Sequence, residues 1–200
     1  MKKFSWLLVL VLLVTICTFP ASAQDKCCTI EARAYIERTD LTELFTRKNE
    51  DYPFELVLPD WVQESLTEME IHEEIYKKVG IDLKEEVELG RLYVKDGKYY
   101  INFKEKKIEK EIIKRQKKYY GFSFSQVSLE DALKVDGLNL EEFGLQSIDD
   151  LQYLINCRIL HLEKNRFITD YRSFKCLPNL TILSMDENNI SDLTFLTNVN

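Results

Sequence analysis

The residues best suited to chemistry are few and poorly spaced for it. Only two histidines occur, His72 and His161. His72 stands in EIHEEIYKK, Glu70–Lys78, which lacks the second histidine that an HExxH helix needs to put two imidazoles on one metal. No GxSxG nucleophile elbow is present, and six glycines in the whole chain leave no Gly-rich loop to cradle a phosphate. The cysteines, Cys17, Cys27, Cys28, Cys157 and Cys176, match no CxxC…CxxC zinc spacing, so a structural metal is not expected. Glutamates are abundant, but only geometry separates a catalytic pair from two solvated carboxylates. The sequence therefore predicts a protein that is not an enzyme and has no cofactor and no metal.

One set of carboxylates does recur at fixed spacing: Glu141, Glu163 and Asp186. They sit in three related stretches, VDGLNLEEF (Val135–Phe143), CRILHLEKN (Cys157–Asn165) and LTILSMDEN (Leu180–Asn188). Leu138 lies over Leu160 at an offset of 22 and Leu160 over Leu183 at 23, with Leu140, Leu162 and Met185 two positions on. An L-x-L unit is a short strand that sends alternate side chains into one core. The asparagine closing the second and third copies, Asn165 and Asn188, bonds turn backbone that no strand partner can satisfy. Phe143 holds that place in the first copy, and Cys157 shares a core column with Val135 and Leu180. Leu145, Ile148, Leu151 and Leu154, then Phe167, Phe174 and Leu177, then Ile190, Leu193 and Leu196 are expected to form the far wall. The opposite alternation points outward in three columns. They are Gly137, Ile159 and Ile182; Asn139, His161 and Ser184; and Glu141, Glu163 and Asp186.

A period of 20–29 residues with this pattern is the signature of a leucine-rich repeat. The stretch NNISDLTFL, Asn188–Leu196, resembles bacterial repeats of the internalin type, whose unit reads roughly N-x-I-x-D-L-x-x-L. The resemblance covers about the last third of the chain; the middle copy, with FITDYRSFKCL, is one residue longer. It implies a short solenoid of about three units with a concave sheet face of the kind that binds partners. So few units bury little core between neighbours, so the preceding domain is expected to cap the first. A Ser128–Asp131 capping-box pattern opens the joining helix. No polar capping repeat follows FLTNVN, so either the final turn is exposed or the chain is part of a longer array, and the uncapped end is also expected to offer a self-association surface.

The elements before the repeats are read less sharply. Tyr35–Lys48 is weakly helical, with Thr39 or Asp40 as a cap, and FELVL between Pro53 and Pro59 is extended. Asp60 with Gln63 reads as a capping box opening a helix to Val79, stopped by Gly80 and burying Val62, Leu66, Met69, Ile75 and Val79. Asp96-Gly97 predicts a type I′ hairpin pairing Val94 with Tyr99 and Leu92 with Ile101. In Lys104–Lys118, Ile108, Ile112 and Tyr119 share one side of a strongly cationic helix. That stripe is too thin for interfacial insertion, so the helix is expected to dock by its isoleucines.

The first residues, MKKFSWLLVLVLLVTICTFPASAQ, have the layout of a secretory signal cleaved after Ala23. The apolar run from Trp6 to Ile16 is shorter than the ~20 residues of a membrane span. A secreted, periplasmic or cell-surface location follows, with no integral membrane segment after cleavage. Such compartments permit disulfides, and Cys27, Cys28, Cys157 and Cys176 admit three complete pairings that sequence does not separate. The net charge of −7 becomes more negative once Lys2 and Lys3 are removed, which argues against nucleic acid as a partner.

The expected fold is α+β: a signal peptide at 1–23, a helix and β-hairpin domain at 24–127, and a leucine-rich repeat solenoid at 128–200. The expected function is a protein-protein interaction module whose partner, carrying a basic patch, meets the concave face at Asn139, Glu141, Ile159, His161, Glu163, Ile182, Ser184 and Asp186. Two alternatives remain at this point: a ligand-binding or enzymatic N-terminal domain positioned by the repeats, and an inhibitor or immunity-type protein.

Overall fold

Asp40 sets the first local turn: its side chain accepts from the Thr42 backbone N–H and caps a four-residue helix. In a computed structural model that describes residues 21–47, 54–121 and 123–198, this helix, α2 (Leu41–Leu44), follows α1 (Ala21–Arg38). The expected signal segment lies outside the described residues as far as residue 20. After Leu44 the stretch is strand rather than helix: β1 (Phe45–Arg47) pairs antiparallel with β2 (Phe54–Leu56), and the segment before Pro59 is extended as expected.

The helix expected from Asp60 to Val79 is two helices, α3 (Asp60–Ser65) and α4 (Glu68–Lys78). Thr67, not Asp60, makes the capping box: its hydroxyl accepts from the Glu70 N–H while the Glu70 carboxylate accepts from the Thr67 N–H. Gln63 donates instead to the Leu58 carbonyl at 2.7 Å, and Leu66 is extended between the two helices. The second helix buries Ile71, His72, Ile75 and Tyr76, while Met69 and Val79 are only partly covered.

After α5 (Leu83–Glu88), the hairpin β3 (Leu92–Lys95) and β4 (Lys98–Ile101) has the expected register, Val94 with Tyr99 and Leu92 with Ile101. Asp96 (φ 50°) and Gly97 (φ 72°) both take the left-handed conformation that a type I′ turn demands. Leu92, Tyr99 and Ile101 are buried, whereas Val94, next to the turn, is exposed.

The cationic helix α6 (Lys106–Tyr120) docks by Ile108 and Ile112, both fully buried, and ends at left-handed Gly121. Tyr119 does not join them: it is largely exposed, and Gln116 takes the third buried position. α7 (Leu129–Leu133) opens with the expected Ser128 and Asp131 capping box.

The last third alternates strand and 3-10 helix. β5 (Gly137–Asn139), β6 (Ile159–His161) and β7 (Ile182–Ser184) form a parallel sheet in that order, with Leu138, Leu160 and Leu183 in register. Between and after them come the 3-10 turns Asp149–Tyr153, Arg172–Cys176 and Thr194–Asn198. Asn165 is fully buried; its amide donates to the Leu140 and Leu162 carbonyls at 2.8 and 2.9 Å, and its oxygen accepts from the Leu145 N–H at 3.0 Å. Asn188 repeats the pattern one unit on, donating to Leu162 and Met185 and accepting from the Asn165 N–H at 2.7 Å.

On the far wall, Leu145, Ile148, Leu151, Leu154, Phe174 and Leu177 are buried as expected, but Phe167 is exposed and Ile168 is buried in its place. The extra residue of the middle copy falls between Asn165 and Ile168, so the side chain that reaches the core is three positions after the asparagine rather than two. Leu193 and Leu196 are exposed, although Ile190 packs against the core.

One apolar core runs through both parts of the molecule. Across their junction the Tyr76 hydroxyl donates to the Tyr153 carbonyl at 2.7 Å, and the Tyr153 hydroxyl donates to the Glu86 carboxylate, which also takes Arg91 and Gln152. The Asp150 carboxylate accepts the Lys104 and Glu105 backbone N–H groups at the start of α6. The architecture is mixed helix and strand, with no closed barrel among the described residues.

Candidate functional site

The strand register brings the outward columns side by side. Gly137 lies opposite Ile159 and Ile159 opposite Ile182, and Asn139, His161 and Ser184 align in the same way. Backbone bonds continue past the strand ends, from the Glu142 N–H to the Glu163 carbonyl and from the Lys164 N–H to the Asp186 carbonyl, both at 2.9 Å. Glu141, Glu163 and Asp186 are thereby kept in line. Ile159 and Ile182 are 40 % and 50 % exposed, so this face carries an apolar pair uncovered by the other described residues.

The carboxylate row is partly compensated from within. The Lys164 ammonium sits 3.0 Å from Glu141 and 4.0 Å from Glu142, and the hydrogen bond to Glu141 raises its pKa. His161 Nδ1 lies 3.3 Å from Glu163 Oε1. Burial disfavours the Glu163 charge, but hydrogen bonds from its own backbone, His161 and Ser184 outweigh it and leave the carboxyl below the usual range. Arg166 reaches Glu187 at 3.0 Å. Asp186 is exposed at the far end of the row. Asn139 turns its side-chain oxygen back onto the Glu141 N–H at 2.9 Å, which stiffens the turn out of β5.

Beside β5 the face is closed by α6, a neighbour that the repeat pattern does not foretell. Arg115 pairs with Asp136 at 3.3 Å, and its Nη2 lies 3.6 Å from where a Cβ on Gly137 would stand. That same point is 3.3 Å from the Ile159 Cβ and carbonyl, so the missing side chain at 137 leaves room chiefly for Ile159, with the guanidinium at ordinary contact distance beyond. The one legible signal was the glycine itself, where the other copies carry isoleucine.

The remaining reactive groups are elsewhere or inert. His72 is buried among α4, β4 and α7, and desolvation pulls its pKa down to about 4; the opposing pull of Glu130 is weaker. Burial pushes the Cys157 thiol up to about 12, well away from the thiolate that a nucleophile or metal ligand needs, in keeping with a core residue. Cys176 is also buried, Cys27 and Cys28 are exposed, and all four are free thiols. Among the described residues no cluster of three metal-ligating side chains occurs, and no helix is long and apolar enough to cross a membrane. A surface hollow of about 400 Å³ between Arg91, Gln152, Arg172 and Lys175 has its guanidinium groups already committed, Arg91 to Glu86 and Arg172 to Asp170.

No family model matches the chain, and no curated protein matches it. Among solved structures it is similar to an internalin C2 of Listeria monocytogenes, at 25% identity over 46% of this chain and 39% of that one, with a TM-score of 0.39. It is also similar to an internalin F of Listeria monocytogenes, at 27% identity over 45% of this chain and 26% of that one, with a TM-score of 0.39. The chain thus spans well under half the length of either.

Proposed function

We propose that residues 128–200 form a short leucine-rich repeat solenoid, that residues 24–127 are a separate sequence unit capping it, and that the molecule works outside the cytoplasm as a protein-protein interaction module. The observation that carries this reading is the exposed pair Ile159 and Ile182, held in register on an open sheet face and bordered by carboxylates. An apolar centre inside a polar rim is the anatomy of a protein interface. The partner carries a basic patch opposite Glu141, Glu163 and Asp186, and association weakens as salt screens that edge. The N-terminal core is filled by apolar side chains such as Ile75, Tyr76 and Ile101, which does not favour an enzymatic or ligand-binding role there.

Affinity capture from culture supernatant and envelope extract tests location and partner together. The captured partner is expected to lose binding to a Glu141→Lys, Glu163→Lys, Asp186→Lys triple variant that still folds; undiminished affinity would put the interface elsewhere.

A further inference from the structure

Helix α6 runs antiparallel along the free edge of β5. Near its start, Lys107 Nζ donates to the Phe143 carbonyl at 2.6 Å, beyond the end of the strand. Eight residues later Arg115 reaches Asp136 and the open space over Gly137, at the strand's beginning. Residues spaced by four share a helix face, so Lys107, Glu111 and Arg115 form one line flanking the outward columns. Past this line, the exposed Tyr119 ring has the Arg115 guanidinium 5.2 Å and the Lys118 ammonium 4.8 Å from its centroid. Lys118 has no ion pair among the described residues, whereas Glu141 and Glu163, past the ends of β5 and β6, have cationic or imidazole neighbours. The row Gly137, Ile159 and Ile182 therefore starts at a cationic wall, the end of α6, and crosses the sheet to β7, while the carboxylate row runs beside it past the strand ends, one residue for each strand.

We propose that Arg115, Lys118 and Tyr119 belong to the partner-binding surface, and that this wall takes an acidic segment of a partner protein whose apolar side chains lie on Ile159 and Ile182. The proposal rests on the open-face reading above and adds what that reading lacks, a binding element supplied by the N-terminal part of the chain. An aromatic ring with two cations against it offers a carboxylate two charge-assisted donors and a neighbouring apolar side chain a flat contact. Lys118 is the cleaner residue to change, because Arg115 also holds Asp136.

The test is selection of a random dodecapeptide display library on the full chain, followed by titration of the synthesised peptides with methyl NMR detection. Selected peptides are expected to carry Asp or Glu next to apolar residues and to shift the Ile159 and Ile182 methyl signals. They should bind Lys118→Glu and Tyr119→Ala about tenfold more weakly, with thermal unfolding of both variants unchanged. Peptides that shift both methyls but bind the two variants as tightly as the parent would remove the wall and leave the open face standing. Neutral or basic peptides emerging from the selection would overturn the assignment of an acidic segment. Peptides that leave both methyls unmoved, or a selection that enriches none, would sink the open-face reading along with it.

Discussion

His72 is held neutral by burial, with Glu130, Lys98 and Lys134 as the charged groups facing it from β4 and α7. Its folded pKa of about 4 lies below the ordinary histidine value, so the unfolded chain takes up a proton first as pH falls. The stability it contributes is complete above about pH 6.5 and is lost progressively down to about pH 4, by about 3 kcal/mol. Urea unfolding followed across that window is expected to show the loss, and His72→Phe should flatten it. Asn165 is the second residue on which the fold leans, because its removal strands the Leu145 N–H and the Leu140 carbonyl inside the core. Asn165→Ala should cost about 3 kcal/mol, and Asn188→Ala less, since Asn188 is only partly buried. The asparagine role was readable because turn backbone inside a repeat has no other partner. The burial of His72 was not, since EIHEEIYKK carries glutamates on both sides of it and the charged groups that face it, Lys98, Glu130 and Lys134, come from far along the chain.

At the scale of elements, α6 is anchored by Ile108 and Ile112, as the sequence spacing implied. Ile112→Ala should cost about 2–5 kcal/mol by leaving a cavity under the helix, measured by denaturant midpoint at unchanged slope. Gly137→Ala should press on β6 instead: a methyl there meets the Ile159 Cβ and carbonyl at 3.3 Å, while Arg115 Nη2 at 3.6 Å stays in ordinary contact. The repeat register was legible from two offsets alone, because alternate leucines leave a strand only one way to face the core. What escaped was punctuation. Thr67 and Glu70 restart a helix in the middle of what reads as a continuous amphipathic run, whereas at Asp60 no capping box closes because Gln63 donates to the Leu58 carbonyl instead. The extra residue of the middle copy was visible, but which side chain it would expel was not; Phe167 and Ile168 are equally apolar on paper, and the smaller one fits inside.

For the whole molecule, the decisive feature is the shared core and its polar seam at Tyr76, Tyr153 and Glu86. Calorimetry is expected to find one cooperative transition rather than separate melting of residues 24–127 and 128–200. Tyr76→Phe, which deletes only the buried hydrogen bond to the Tyr153 carbonyl, should lower stability by about 1–2 kcal/mol without splitting that transition. The sequence marked a boundary at Ser128 by the capping-box pattern ahead of the repeats, yet such a local signal carries no information about side chains that meet across it. The position of α6 against β5 also gives the molecule a direction. Each asparagine hands a backbone bond to the unit before it, so a further copy of the motif would find its partners waiting at β7, whereas α6 already stands where a unit before β5 would go. A further strand could therefore join only at the β7 edge, with the helical end serving as the fixed origin of the ruler.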